Sequence, residues 1–272
     1  MTYMSKKTIA NDVRAVEYLQ DEACRLLNNL DYPPLRTAKL VGGTALSRFW
    51  LQHRQSRDMD YFLPAGFSAL DLARDIKRTG LRFETLVIVD GKNAANQLDG
   101  YLRVGQQAIK VSFVEDAYYE VYPAIRRSLG GQTVLTESIE GLYHRKLRTI
   151  TGHTLDQDTP AGGRQKARDI FDLCVLSEKH APFTDFVKTI PYEFPTRAFI
   201  NGLAAIRWFD LIDELSEITA APQWQKYQDI GVVRQALFAQ TWLEADMMVA
   251  SDTRTSPSKK PAHDQKRRGP KP

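Results

Sequence analysis

Cysteine is nearly missing from this chain: of 272 residues only Cys24 and Cys174 are cysteines, far apart and outside any Cys-x-x-Cys pair. That scarcity excludes a disulfide scaffold and a thiolate metal knuckle, and a reduced, cytoplasmic protein is expected. Long apolar runs are missing as well. No stretch reaches the roughly eighteen consecutive apolar residues that a spanning helix needs, and MTYMSKKTIANDVRAVEYLQ is too polar for a signal peptide. No membrane partner is therefore expected. The five histidines are scattered, which leaves no zinc constellation. Internal repeats are absent too.

What is there has the composition of a globular protein, 43% hydrophobic and 26% charged, long enough for one large domain or two modest ones. The net charge of +4 is unevenly distributed. Residues 251–272 hold seven Lys/Arg and two Asp, a net of +5, so the remainder carries a net of −1. This tail lacks aromatic and large aliphatic residues and is expected to be disordered, either a solubilising end or an arm that meets RNA.

Apolar spacing predicts a helix over 8–30, stopped by Tyr32-Pro33-Pro34, then a strand over 37–41 and a helix from Thr44 to about Gln52. A strand over 58–63 follows, then a helix capped by Ser68 and closed by Gly80, then strands over 81–89, 97–104 and 107–114. After Pro123, apart from a short apolar stretch at 132–135, helices are expected over 137–151, 164–180, 183–190, 196–218 and 224–249. Trp50, Trp208, Trp224 and Trp242 read as packing residues. The organisation expected is an α+β core over 1–130, a helical domain over 131–250 and the basic tail over 251–272.

The chemistry concentrates in LVGGTALSRFWLQHRQSRDMDYFL, residues 40–63. Alternation along a strand puts Asp58 and Asp60 on one face, and two adjacent carboxylates call for a cation between them, best a hard divalent one. About fifteen residues upstream, Gly42 and Gly43 end an apolar strand and open a helix, where backbone donors approach a phosphate with no Cβ in the way. Thr44 adds a hydroxyl. Gly-Gly alone is more often a tight turn, and Asp-x-Asp more often a solvated surface. In this order and spacing they make a phosphate seat beside a metal seat.

GGTAL followed by HRQSRDMDYFL resembles the AbiEii/AbiGii-type nucleotidyltransferases, toxins of type IV toxin–antitoxin and phage-exclusion pairs within the DNA polymerase beta-like superfamily. TESIEGLYHRKLRTI is similar to the family helix that ends in an active-site lysine, here Lys146, and GGRQKARDIFDLCVL to its last motif, whose aspartate falls on Asp169. The resemblance implies a nucleotidyltransferase-like mixed sheet flanked by helices, followed by a helical bundle. It implies Asp58, Asp60, Lys146 and Asp169 as catalytic residues, with Mg²⁺ or Mn²⁺ held by the first two. Gly42, Gly43, Thr44, Ser56 and Arg57 would bind the nucleotide. NMP would pass from an NTP to RNA, tRNA 3′ ends first, under restraint by a cognate antitoxin encoded nearby. Transfer to a protein hydroxyl and non-catalytic NTP binding are the alternatives.

Other residues have readings of their own. Arg145 and Arg148 compete for the role of Lys146, and Asp172 lies on the same helix face as Asp169. Arg164, Lys166 and Arg168 are candidates for RNA phosphates, Arg54 for the triphosphate, and His53 is a loop histidine. One departure stands out: the superfamily commonly has a third carboxylate on a neighbouring strand, where this chain has Ser112. Glu115 and Asp116 are the nearby substitutes.

Overall fold

The computed structural model describes residues 6–91, 94–151 and 166–252, without the side chains of residues 6–12 and 242–252. The tail beyond Asp252, Arg164 and the polar segment 152–163 lie outside the described residues, as does the side chain of Trp242.

Seven strands make one mixed sheet: β1 (Lys39–Val41), β2 (Met59–Leu63), β3 (Phe83–Val89), β4 (Gln97–Val104), β5 (Gln107–Glu115), β6 (Ala124–Leu129) and β7 (Gln132–Glu137). Their spatial order is β3-β4-β5-β2-β1-β7-β6. β1 pairs antiparallel with β2 and parallel with β7, while β2 pairs parallel with β5. Along β2 the side chains alternate: Met59, Tyr61 and Leu63 are buried on one face, while Asp60 and Phe62 on the other are half-buried. The first face is covered by α1 (Lys6–Asn28) and α3 (Ala69–Arg78), which share a core with Leu40, Leu98, Val111 and Phe113. Between them in sequence lies the short α2 (Gly42–Ala45).

The opposite face meets the helical half: α4 (Ile139–Thr151), α5 (Ala167–Lys179), α6 (Phe183–Phe186), α7 (Thr196–Ala204), α8 (Ile212–Ser216) and α9 (Ile230–Asp252). A second core around Tyr143, Phe171, Phe183 and Phe199 takes in Val41 and Leu46 from the sheet side. The α+β architecture expected from the residue pattern is what forms.

Local signals explain several boundaries. Ser68 Oγ accepts from Asp71 N at 3.1 Å and caps α3, whose Ala69, Leu72 and Ile76 recur at helical spacing and are buried. Gly105, with φ +59, turns β4 into β5.

Three expectations need correction. Residues 124–137 are a hairpin that completes the sheet, so strand structure continues to Glu137 and the helical half starts after it. The two-residue turn Gly130-Gly131, both with positive φ, is the signal that points to it. The helix expected over 196–218 is broken at Arg207, where ψ is 75°; its apolar period survives because Leu211 and Leu215 re-enter the same core beyond the break. The helix expected from Thr44 to Gln52 is α2 followed by a π-helical turn, Leu46–Leu51, closed by Gln52 at φ +48. That wide turn sends the chain back beneath the glycines.

Candidate active site

The glycine turn is built tightly against its surroundings. Gly42 has φ +71, a region that L side chains rarely enter, and a Cβ there would lie 2.8 Å from Asp60 Oδ2. A Cβ on Gly43 would lie 2.4 Å from Arg54 Nη2 and 2.9 Å from Ser56 Oγ. Both glycines are thus dictated by close approach. The turn, Arg54, Ser56, the two aspartates, Lys146 and Arg168 line one small cavity of about 30 Å³.

The two halves of the molecule meet here through buried charge. Asp172, on α5, is fully buried and accepts from Arg54 Nε at 2.6 Å, Arg54 Nη2 at 2.8 Å and His53 Nε2 at 2.7 Å. Lys146 Nζ, from α4, lies 2.7 Å from Asp172 and donates to Asp169 Oδ1 at 2.6 Å. Burial alone would raise the Asp172 carboxyl, but Arg54, Lys146 and His53 hold it well below the usual carboxylate range. His53 is itself kept neutral: burial lowers its pKa more than Asp172 raises it. The loop that carries Arg54 is stitched down by backbone bonds, Gln55 N to Thr219 O at 2.9 Å and Ala221 N to His53 O at 2.8 Å.

At the other wall Arg168, in the first turn of α5, donates to Asp58 Oδ2 at 2.9 Å. Burial disfavours its charge, and Asp58 more than restores it. A larger cleft of about 490 Å³ opens beside this pair, lined by Arg57, by Glu217 and by Lys166, which donates to Glu214 at 3.1 Å.

The donor set suits a hard divalent ion. No group of three or more His, Cys, Asp or Glu able to hold a metal occurs among the described residues, so Asp58 and Asp60 would provide two carboxylates only. Mg²⁺ is commonly held that way, by one or two carboxylates with substrate phosphates and water completing its shell. Beside those carboxylates the glycine turn brings backbone, with no Cβ, to the edge of the small cavity.

The family model of the nucleotidyl transferase AbiEii toxin, type IV TA system, matches residues 36–242. The chain belongs to this family. As an AbiEii-family nucleotidyltransferase toxin it has an antitoxin as its implied partner. It is similar in structure to JHP933 from Helicobacter pylori, at 17% identity and a TM-score of 0.44, over 89% of this chain and 98% of that one. A putative nucleotidyltransferase from H. pylori aligns at 17% identity and a TM-score of 0.45, over 91% and 99%. An antigenic nucleotidyltransferase-like protein from Paracoccidioides brasiliensis aligns at 15% identity and a TM-score of 0.41, over 70% and 85%. No curated protein matches in sequence. Among the described residues no helix is long and apolar enough to cross a membrane.

In this AbiEii-family chain Gly42, Gly43, Ser56, Asp58, Asp60 and Lys146 are brought together around the small cavity, and Lys146 donates to Asp169. Two of the expected nucleotide ligands are placed otherwise. Thr44 is buried, its hydroxyl donating to the Asp58 carbonyl and accepting from Gln20 Nε2 at 3.3 Å, so it braces the aspartate strand. Arg57 is exposed on the rim of the larger cleft rather than in the small cavity. Arg145, the expected competitor of Lys146, is committed to Glu137 and to Asp116, at 2.9 and 2.6 Å. Arg148 stacks over Tyr118 at 4.3 Å.

Sequence reasoning gave Asp172 and Arg54 secondary roles and His53 none, yet these three, with Lys146, form the buried centre. The spacing of Asp169 and Asp172 was the available sign, since it puts a second acid within reach of whatever the first one holds.

Proposed function

We propose that the protein transfers a nucleoside monophosphate from an NTP to a hydroxyl of RNA, tRNA 3′ ends first, and releases pyrophosphate. The observation that carries this reading is the packing of the Gly42-Gly43 turn against Asp60, in one cavity with Asp58 and a lysine pinned between two buried carboxylates. Growth arrest checked by the cognate antitoxin is the outcome implied by the family.

Asp58 and Asp60 would hold Mg²⁺, which would supply Lewis-acid stabilisation of the phosphate charge. Gly42 and Gly43 let backbone N–H groups approach the triphosphate, and Ser56 adds a hydroxyl on the same side. Lys146 is fixed in place by Asp169 and Asp172, so its ammonium meets the leaving pyrophosphate with little reorganisation. Arg168 lies against Asp58 and can turn to the phosphates as the site loads.

Each of the four NTPs, α-labelled, is incubated with the protein, Mg²⁺ and total tRNA. Label on tRNA from wild type and none from Asp58→Ala supports the reading. Label that follows polypeptide after nuclease treatment would favour a protein acceptor. Binding of NTP without pyrophosphate release would make the protein a nucleotide-binding module, and the reading would fall.

A further inference from the structure

An attacking hydroxyl must lose its proton as the new O–P bond forms, and the acid–base chemistry of this site is incomplete as described so far. The acids around it are largely committed. Asp58 is held by Arg168, while Asp169 and Asp172 are held by Lys146. The substitutes suggested by sequence point elsewhere: Glu115 accepts from Gly66 N at 3.2 Å and Asn96 N at 3.1 Å, and Asp116 is bound to Arg145.

The register of the sheet brings in another acid. Asp60 on β2 pairs with Ser112 on β5, and Ser112 pairs with Asp99 on β4. Directly paired residues share a face, so Asp60, Ser112 and Asp99 form one row across the sheet on the side of the glycine turn. With strands about 4.8 Å apart, Asp99 stands roughly 10 Å from Asp60 along that row. Ser112 stands between them in the row. Oδ2 of Asp99 accepts from Gln97 Nε2 at 2.8 Å, whereas Oδ1 is buried and has no hydrogen-bond partner among the described residues. A buried carboxylate oxygen without a donor is costly to keep and needs a reason. Next along the same face stand Lys110 and Tyr101, paired across β5 and β4, with Tyr101 39% exposed. A cation and an open ring suit a nucleic-acid strand lying along this face.

We propose that Asp99 binds the acceptor hydroxyl and takes its proton, in place of an acid at position 112. The inference rests on the nucleotidyl-transfer reading. The acceptor oxygen forms a bond to the α-phosphorus, the bond from that phosphorus to the bridging oxygen breaks, pyrophosphate leaves, and the acceptor proton passes to the Asp99 carboxylate.

The test uses the full chain in single-turnover assays with α-labelled NTPs and total tRNA. Binding of an α,β-methylene NTP and the melting temperature are measured alongside. Asp99→Asn is expected to slow transfer about 100-fold, the scale of a lost general base, with analogue binding and melting unchanged. Ser112→Asp in the Asp99→Asn background, which returns a carboxylate to the same row, is expected to recover much of the rate. An Asp99→Asn protein as fast as wild type overturns the assignment. So does one whose analogue binding falls in step with its rate, and so does a double variant that stays slow. Failure of the parent reading looks different: wild type itself then moves no label.

Discussion

Lys146 lies between two buried carboxylates, so its proposed charge at the phosphates is tied to the stability of the fold. Lys146→Met leaves Asp169 and Asp172 with one cation fewer in a site closed to water. Removing one partner of a buried pair typically costs about 3–5 kcal/mol. Lys146→Met is therefore expected to lower the urea midpoint and to cut transfer by roughly 100-fold or more, the scale of a lost charge-stabilising donor. Lys146→Arg should not restore activity, because a planar guanidinium engaged by the two acids does not present the compact point charge of the ammonium. A variant that keeps wild-type turnover would remove Lys146 from the chemistry.

Two buried histidines set a pH dependence. Burial, with Arg145 and Arg148 nearby, depresses His144 to about 3, and burial depresses His53 despite Asp172. Unfolded histidine titrates near ~6.5, so below that pH the unfolded chain binds protons that the folded protein refuses. Stability is therefore full above about pH 6.5 and falls as the pH drops, by up to ~1.4 kcal/mol per unit per histidine. The His144 contribution continues towards pH 3. Asp172 adds its loss only below the ordinary carboxylate range, around ~4. Urea unfolding at pH 7, 6 and 5 should show the slope, and His144→Asn should flatten it. An unchanged slope would mean that His144 titrates alike in both states.

Among the elements, the turn between β1 and α2 tolerates least. Gly43→Ala puts a methyl 2.4 Å from Arg54 Nη2, and Arg54 cannot retreat without releasing Asp172. Transfer is expected to fall at least about 10-fold, since near-ångström misplacement at a site is worth that or more. Nucleotide titration and a single-turnover assay check it. Gly105→Ala serves as the control: a Cβ there meets nothing within 4 Å, so whatever strain its φ of +59 adds stays at the far end of β4.

Elements were legible where a local pattern was strong. The alternation of Met59-Asp60-Tyr61-Phe62-Leu63 set out β2 and the face of its carboxylates, and Ser112 lies opposite Asp60 on β5 as the strand alignment implied. β6 was not legible, because Ala124–Leu129 is polar and mostly outside the core and its place depends on pairing with β7. The Asp172 centre was hidden for a related reason. A buried acid looks like any other until partners more than a hundred residues away, His53 and Arg54, are folded against it.

At the scale of the whole molecule, a knot of buried charge helps join the two halves. His53 and Arg54 come from the sheet half, Lys146, Asp169 and Asp172 from the helices, and backbone bonds to 219–221 close the seam. Wild type is expected to unfold in one step, with tryptophan fluorescence and far-ultraviolet circular dichroism giving coincident curves. Asp172→Asn should separate them, since Trp208 and Trp224 report the helical side. Coincident curves in that variant would show that the apolar core and the remaining ion pairs, Arg145–Asp116 and Arg168–Asp58 among them, suffice to couple the halves.

The same seam has a consequence during synthesis. A ribosome making this chain delivers the glycine turn and both aspartates well before Lys146, Asp169 and the 219–221 segment. Until those arrive, Arg54 lacks its Asp172 partner and the glycine turn lacks Lys146. The order of the chain thus fixes when the cavity closes: its lining is complete only once most of the polypeptide has emerged.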